Sequence, residues 1–160
     1  MDWSAVTVVI EGLDPRHPDG VLLIARLSAD LAARYPEDPD GGAGHFCPDD
    51  VLVPRSIFVV GRLGGQPVAC GALRPVEPDV AEVKRMYVEP GFRGRGLSRR
   101  ILAELEEYAR RFGYRRVWLE TGIRQPEAIR LYESAGYGRI ANYGIYAGNL
   151  NSICFEKQLI

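Results

Sequence analysis

The run Arg93-Gly94-Arg95-Gly96-Leu97-Ser98 constrains this chain more than any other stretch. It follows a strand-like run at residues 82–88 and opens a segment in which Leu97, Ile101, Leu102, Leu105, Tyr108, Ala109 and Phe112 recur at helical spacing. A glycine-rich turn feeding a helix N-terminus bunches backbone N–H groups, and the helix dipole adds partial positive charge. Such a junction suits a phosphate or pyrophosphate. Arg93, Arg95, Arg99 and Arg100 add local cationic charge, although the net charge of −1 supplies no global field to recruit nucleic acid or an anionic membrane. Two nucleotide motifs fail on single residues. No Lys-Ser/Thr follows these glycines as a P-loop requires, and Arg99 stands where a Rossmann fingerprint counted from Gly94 needs its third glycine.

The rest of the chain surrounds this junction with alternating elements. Residues 7–10 read as a first strand and residues 18–35 as an amphipathic helix carrying Val21, Leu22, Ile24, Leu27 and Leu31. Residues 36–54, rich in proline and glycine, form a long connection that reads either as a functional flap or as a surface loop without fixed structure. Residues 57–63 and 68–73 make a hairpin through Gly64-Gly65-Gln66-Pro67. After the helix closed by Gly113 come a strand at 116–121, a short helix from Pro126 to Ala135 ended by Gly136, and strands at 137–141 and 152–159. At 160 residues, 46% of them hydrophobic, the chain has the length of one domain (1–160) with a sizeable core. The order implies an α/β (α+β) fold with a mixed sheet and helices packed on it. No cationic stretch precedes an apolar core near Asp2 and Glu11, and no apolar run has membrane-spanning length, so the expected setting is the cytoplasm. Cys47, Cys70 and Cys154 are odd in number and lack ligand spacing, which points to reduced thiols and no metal site.

The Arg93 loop resembles the Arg/Gln-x-x-Gly-x-Gly/Ala coenzyme A pyrophosphate loop of the GNAT N-acetyltransferase superfamily, with Ser98 departing at the last position. Two further places match in the right order. Ala128-Ile129-Arg130-Leu131-Tyr132-Glu133-Ser134-Ala135-Gly136-Tyr137 is similar to the family's Ala-x-x-Leu-Tyr-x-x-x-Gly-Phe/Tyr segment, and Glu82 stands at the strand position of the glutamate base in histone-type members. The resemblance covers roughly residues 57–159. It implies a mostly antiparallel central sheet of about seven strands flanked by helices, and acetyl-CoA as cofactor. Cofactor contacts would come from main-chain groups of Met86, Tyr87 and Val88, from Arg93, Gly94, Arg95, Gly96, Leu97, Ser98 and Arg99, and from Gln125, where many members have asparagine.

Acyl transfer from a thioester to an amine needs a base for the amine proton, a donor for the carbonyl oxygen and a proton for the departing thiolate. An amine of pKa about 8 to 10 is mostly protonated at neutral pH. Glu82 is the first candidate base, with Glu120 in reserve; the bland alternative pairs Glu82 with Lys84 or a nearby arginine. Tyr132 is the candidate acid, the alternative being a core tyrosine. Cys70, with no histidine nearby in sequence, reads as a packed thiol, so transfer is expected to be direct. The expected acceptor is a small-molecule amine, with Arg74 or Arg85 clamping an acidic group and Tyr143 and Tyr146 bordering it; either arginine could equally pair with Glu77, Asp79 or Glu120. Acetylation of a peptide amine, a non-catalytic acyl-CoA-binding module and pairing of two copies stay open at this point.

Overall fold

A computed structural model describes residues 7–160, so the reading made around Asp2 lies outside the described residues. One sheet of seven strands runs through the molecule in the order β1-β2-β3-β4-β5-β7-β6. The strands are β1 (Val8–Gly12), β2 (Ile57–Leu63), β3 (Gln66–Glu77), β4 (Val80–Val88), β5 (Arg116–Gly122), β6 (Gly138–Ile140) and β7 (Ser152–Gln158). Every neighbouring pair is antiparallel except β4 and β5. The parallel pair needs a crossover, and the helix after the Arg93 loop supplies it: α2 (Leu97–Arg111).

Side-chain alternation sorts the core into two layers. Leu73, Ala81, Val83, Val117, Leu119 and Phe155 face α2 and α3 (Pro126–Ser134). Phe58, Val60, Cys70, Ala72 and Tyr87 face α1 (Pro18–Arg34), which buries Leu23 and Leu27 against them. The 36–54 connection holds two 3₁₀ turns, Ala43–His45 and Pro48–Val51, and its Val51 joins the α1-side core. Most predicted strand and helix ends shift by one to three residues, and β3 runs four residues beyond its predicted end.

The alternation breaks once in β4, and the break shapes the site. Cys70 pairs with Tyr87 and Ala72 with Lys84, which leaves Arg85 and Met86 opposite the single residue Gly71. Arg85 takes φ 57°, a left-handed conformation rare for a residue with a side chain. This is a β-bulge, which bends the strand and re-aims side chains. Lys84 and Arg85 therefore both point to the α1 side, while Met86 packs into the α2 layer.

Candidate active site

Pairing between β4 and β5 stops at Val83 and Leu119, although β5 continues against β7 as far as Gly122 and Ser152. Beyond that rung the two parallel strands splay, and β4 keeps only its β3 ladder, so main-chain groups on its β5 side are left without a strand partner. The splay opens a cavity of about 590 Å3, whose wall includes the Arg93 loop, Met86, Tyr132, Glu120, His45 and Asn149.

At one end the loop has the shape of an anion cradle. Gly94 and Gly96 both adopt positive φ, 78° and 79°, with open space where a Cβ would stand. No intramolecular acceptor meets the N–H groups of residues 94–99 among the described residues, as expected of a helix start and the turn before it. Arg93 donates from Nε to the Val88 carbonyl at 2.8 Å and holds the loop against the end of β4. Six free donors at a helix N-terminus, with glycines where side chains would intrude, fit a pyrophosphate. Of the residues expected to contact cofactor, Met86, Tyr87, Val88, Arg93, Gly94, Gly96, Leu97, Ser98 and Gln125 line the cavity. The side chains of Arg95 and Arg99 are not in its wall: Arg95 lies over the Phe92 ring and Arg99 donates to Ser134 Oγ on α3. Gln125 caps the start of α3, where its Oε1 accepts from the Gly122 N–H at 3.1 Å.

A bridge from the end of α1 crosses to the β5–α3 turn. The Tyr35 hydroxyl accepts from the Arg124 N–H at 3.0 Å and donates to Gln125 Oε1 at 3.4 Å. Gly122 makes room for it, since a Cβ there would collide with the Tyr35 hydroxyl. Arg34 pairs with Glu127, and Glu37 accepts from Arg124 at 2.7 Å and Asn151 at 3.0 Å. Nothing in the local pattern of residues 34–37 announces this span, because its partners lie about ninety residues or more away.

The two glutamates have different surroundings. Glu82 is 2% exposed, accepts from Arg74 Nε at 2.9 Å, lies 2.8 Å from Arg74 Nη2 in the same ion pair, and accepts from the Tyr143 hydroxyl. With Arg74, Tyr143 and Tyr146 it borders a second, shallower hollow of about 390 Å3 rather than the cleft. Glu120 lines the cleft itself and accepts a hydrogen bond from Ser152 Oγ at 3.1 Å. Burial raises its carboxyl above the ordinary glutamate value, against the partial offset of the Lys84 charge. Tyr132 is 5% exposed, packs on Tyr137 and Phe155, and still reaches the cleft wall; burial raises its phenol, which stays protonated.

The arginines expected to clamp an acidic acceptor are occupied internally. Arg74 also binds Asp50 at 2.6 Å and the His45 carbonyl at 3.2 Å, and Arg85 donates to Ser28 and to the carbonyls of Gly41 and Gly42. Arg85 thus fixes the 36–54 connection to the bulge, and Arg74 fixes it to β3. Lys84, named at the sequence level only as a partner for Glu82, instead lines the cleft and donates to the Tyr146 hydroxyl. Its alternation with Glu82 was readable from the sequence, but the strand register that puts it opposite β5 was not. Cys70 is fully buried, and burial pushes its thiol up to about 12, as a packed and unreactive cysteine requires. The described residues hold no cluster of His, Cys, Asp or Glu able to bind a metal, and no helix among them is long and apolar enough to cross a membrane.

Comparison with known proteins agrees with this architecture. Residues 24–137 match the model of the acetyltransferase (GNAT) family. A protein of Azospirillum brasilense named IAA acetyltransferase is 34% identical over 154 residues, covering 95% of this chain and 98% of its own. The uncharacterized N-acetyltransferase YjgM of Escherichia coli is 33% identical over 126 residues, 73% of this chain and 75% of its own. The PaiA N-acetyltransferase of Thermoplasma acidophilum, solved in complex with coenzyme A, superposes with a TM-score of 0.72 over 96% of this chain and 99% of its own at 14% identity, a likeness of fold. A cleft between splayed parallel strands, a glycine loop shaped to hold an anion and a family match over most of the length lead to one conclusion: the chain belongs to the GNAT acetyltransferase family and is an N-acetyltransferase with acetyl-CoA as its cofactor.

Proposed function

We propose that this enzyme acetylates the amine of a compact small molecule by direct transfer, with Glu120 as the base and Tyr132 as the acid. The observation that carries the reading is that one continuous cavity joins the Arg93 loop, Tyr132 and Glu120. Acetyl-CoA supplies the thioester acetyl group. Main-chain N–H groups of residues 94–99 hold its pyrophosphate, and the unpaired edge of β4 at Met86 to Val88 receives the pantetheine arm and donates to the carbonyl oxygen.

Glu120, directly or through a water, takes the proton of the incoming ammonium, so that a neutral amine forms the new C–N bond as the C–S bond breaks. A carboxyl raised by burial is a stronger base than a solvated one, which suits the task. Tyr132 delivers its proton to the departing sulfur and regains one from solvent or from the proton released by the amine. Glu82 holds Arg74 and Tyr143 in place and supports the wall behind the acceptor. Three free cysteines and direct transfer without a thiol intermediate suit a reducing, cytoplasmic setting.

The test is a coenzyme-consumption screen over amino acids, polyamines, aminoglycosides, short peptides and IAA, the compound in the name of the Azospirillum relative, followed with the unmodified protein and with Glu120→Gln. A small amine should be turned over and should lose about 10²-fold or more in kcat in the variant. Turnover confined to peptides, or a full-rate Glu120→Gln enzyme, would refute the reading.

A further inference from the structure

Val83 and Leu119 form the last rung between β4 and β5, so Lys84 and Glu120 are the first residues on each strand beyond the point of splaying. Alternation puts Lys84 on the same face as Glu82, and Glu120 on the same face as Trp118, the face that carries Tyr143 and Tyr146. An ammonium and a carboxylate therefore flank the opening from opposite strands, both in the wall of the cleft. They are not paired with each other. Among the described residues Lys84 has no carboxylate within ion-pair distance, and Glu120 bonds to Ser152.

The Lys84 ammonium is largely desolvated, and burial lowers its pKa. Its hydrogen-bond partner is the neutral Tyr146 hydroxyl, with the Tyr146 ring centroid 5.0 Å away, so one of its three donors is engaged. Glu82, the carboxylate two residues away on the same face, is committed to Arg74 and Tyr143. Of the other cations on this part of the sheet, Arg74 is committed to Asp50 and Glu82, and Arg85 spends three of its five donors on Ser28 and the carbonyls of Gly41 and Gly42. A cation held away from water, with a phenol as its hydrogen-bond partner and the Glu82 and Glu120 charges near it but not bonded to it, gains from an anion that binds it directly. Of Lys84, Arg74 and Arg85, Lys84 is the cation that stands directly at the splay from Glu120 and keeps two of its three donors uncommitted.

We infer that the acceptor is an amino carboxylic acid, whose carboxylate binds Lys84 while its amine meets Glu120. An amino acid zwitterion carries the complementary pair of charges to the one the cleft presents. A polyamine would bring a second ammonium against Lys84, and a neutral amide would leave that ammonium without its anion. This inference rests on the proposed small-molecule reaction and on Glu120 as its base. It names Lys84 as the residue that selects among acceptors.

The experiment compares alanine with alaninamide, phenylalanine with phenylalaninamide, and β-alanine with β-alaninamide as acceptors for the full chain with acetyl-CoA, following loss of thioester absorbance. In at least one pair the acid should exceed its amide by roughly 10- to 100-fold in kcat/KM, the range of a hydrogen bond to a charged group. Lys84→Met should bring that acid down to its amide, mainly through KM, while acetyl-CoA affinity and thermal midpoint hold. Lys84→Arg should restore part of the preference. Equal rates for acid and amide in every pair, a preference that survives in Lys84→Met, or no turnover of any pair would each overturn the inference. If acetyl-CoA binds and polyamines or other small amines react while acids do not, the carboxylate assignment alone fails; if only peptides react, or no amine of any class does, the proposed reaction fails with it.

Discussion

Replacing Glu82 by glutamine separates a structural carboxylate from a catalytic one. At 2% exposure its side chain accepts a hydrogen bond from Arg74 Nε at 2.9 Å, lies 2.8 Å from Arg74 Nη2 in the same ion pair, and accepts one bond from Tyr143. Breaking a buried ion pair costs about 3–5 kcal/mol. The lower end applies here, since Arg74 keeps Asp50 and the His45 carbonyl and is itself 20% exposed at its side chain. A loss of about 3 kcal/mol at roughly 2–4 °C per kcal/mol for a chain of this size implies a fall in Tm of roughly 6–12 °C. Burial and the Glu82 charge hold the Tyr143 phenol well above its usual pKa, so the variant should also let that phenol ionise at lower pH. Thermal melting by circular dichroism gives the first number, and thioester consumption at saturating substrate, well below the new Tm, gives the second. The expected result is a large drop in Tm with kcat within a few-fold of the unmodified enzyme. An unchanged Tm with a 100-fold loss of kcat would refute the reasoning and return the base role to Glu82.

Because burial raises the Glu120 carboxyl, the acidic limb of the kcat/KM profile should lie above the ordinary glutamate range and vanish in Glu120→Gln. The folded chain binds that proton more tightly than the unfolded one, so stability contributed by Glu120 is lost as pH rises through its folded pKa. Chemical denaturation across pH should show the slope flatten in the variant. Tyr132→Phe should leave acetyl-CoA affinity unchanged by calorimetry and slow turnover about 10²-fold, the scale of a lost general acid. Gly96→Val forces a branched residue into φ 79° and puts its side chain into the cradle, so calorimetry should show acetyl-CoA affinity reduced at least tenfold with α2 intact by circular dichroism.

The elements and the glycine loop before α2 were legible in the sequence because both are local. Helical spacing from Leu97 to Phe112, the Gly64-Gly65 turn and the glycines of the Arg93 loop each depend on neighbours within a few residues, and periodicity reports such neighbours directly. The Tyr132 segment was legible for the same reason. Partner choice was not. Whether Glu82 faces a substrate or an arginine depends on β3 pairing with β4, and Arg85 joins Lys84 on the α1 side only through a one-residue bulge, since adding a single residue turns every later side chain to the other face. The 36–54 connection shows the same limit: its composition signals a loop, while Arg74, Arg85 and the burial of Val51 decide its place. The sequence by itself determined a glycine-rich loop on a strand-to-helix junction within a mixed sheet. Only the tertiary structure decided which charges remain available for chemistry, because charges far apart in sequence meet by register, and Arg74 and Glu82 are consumed by each other while Lys84 and Glu120 are left facing the cleft.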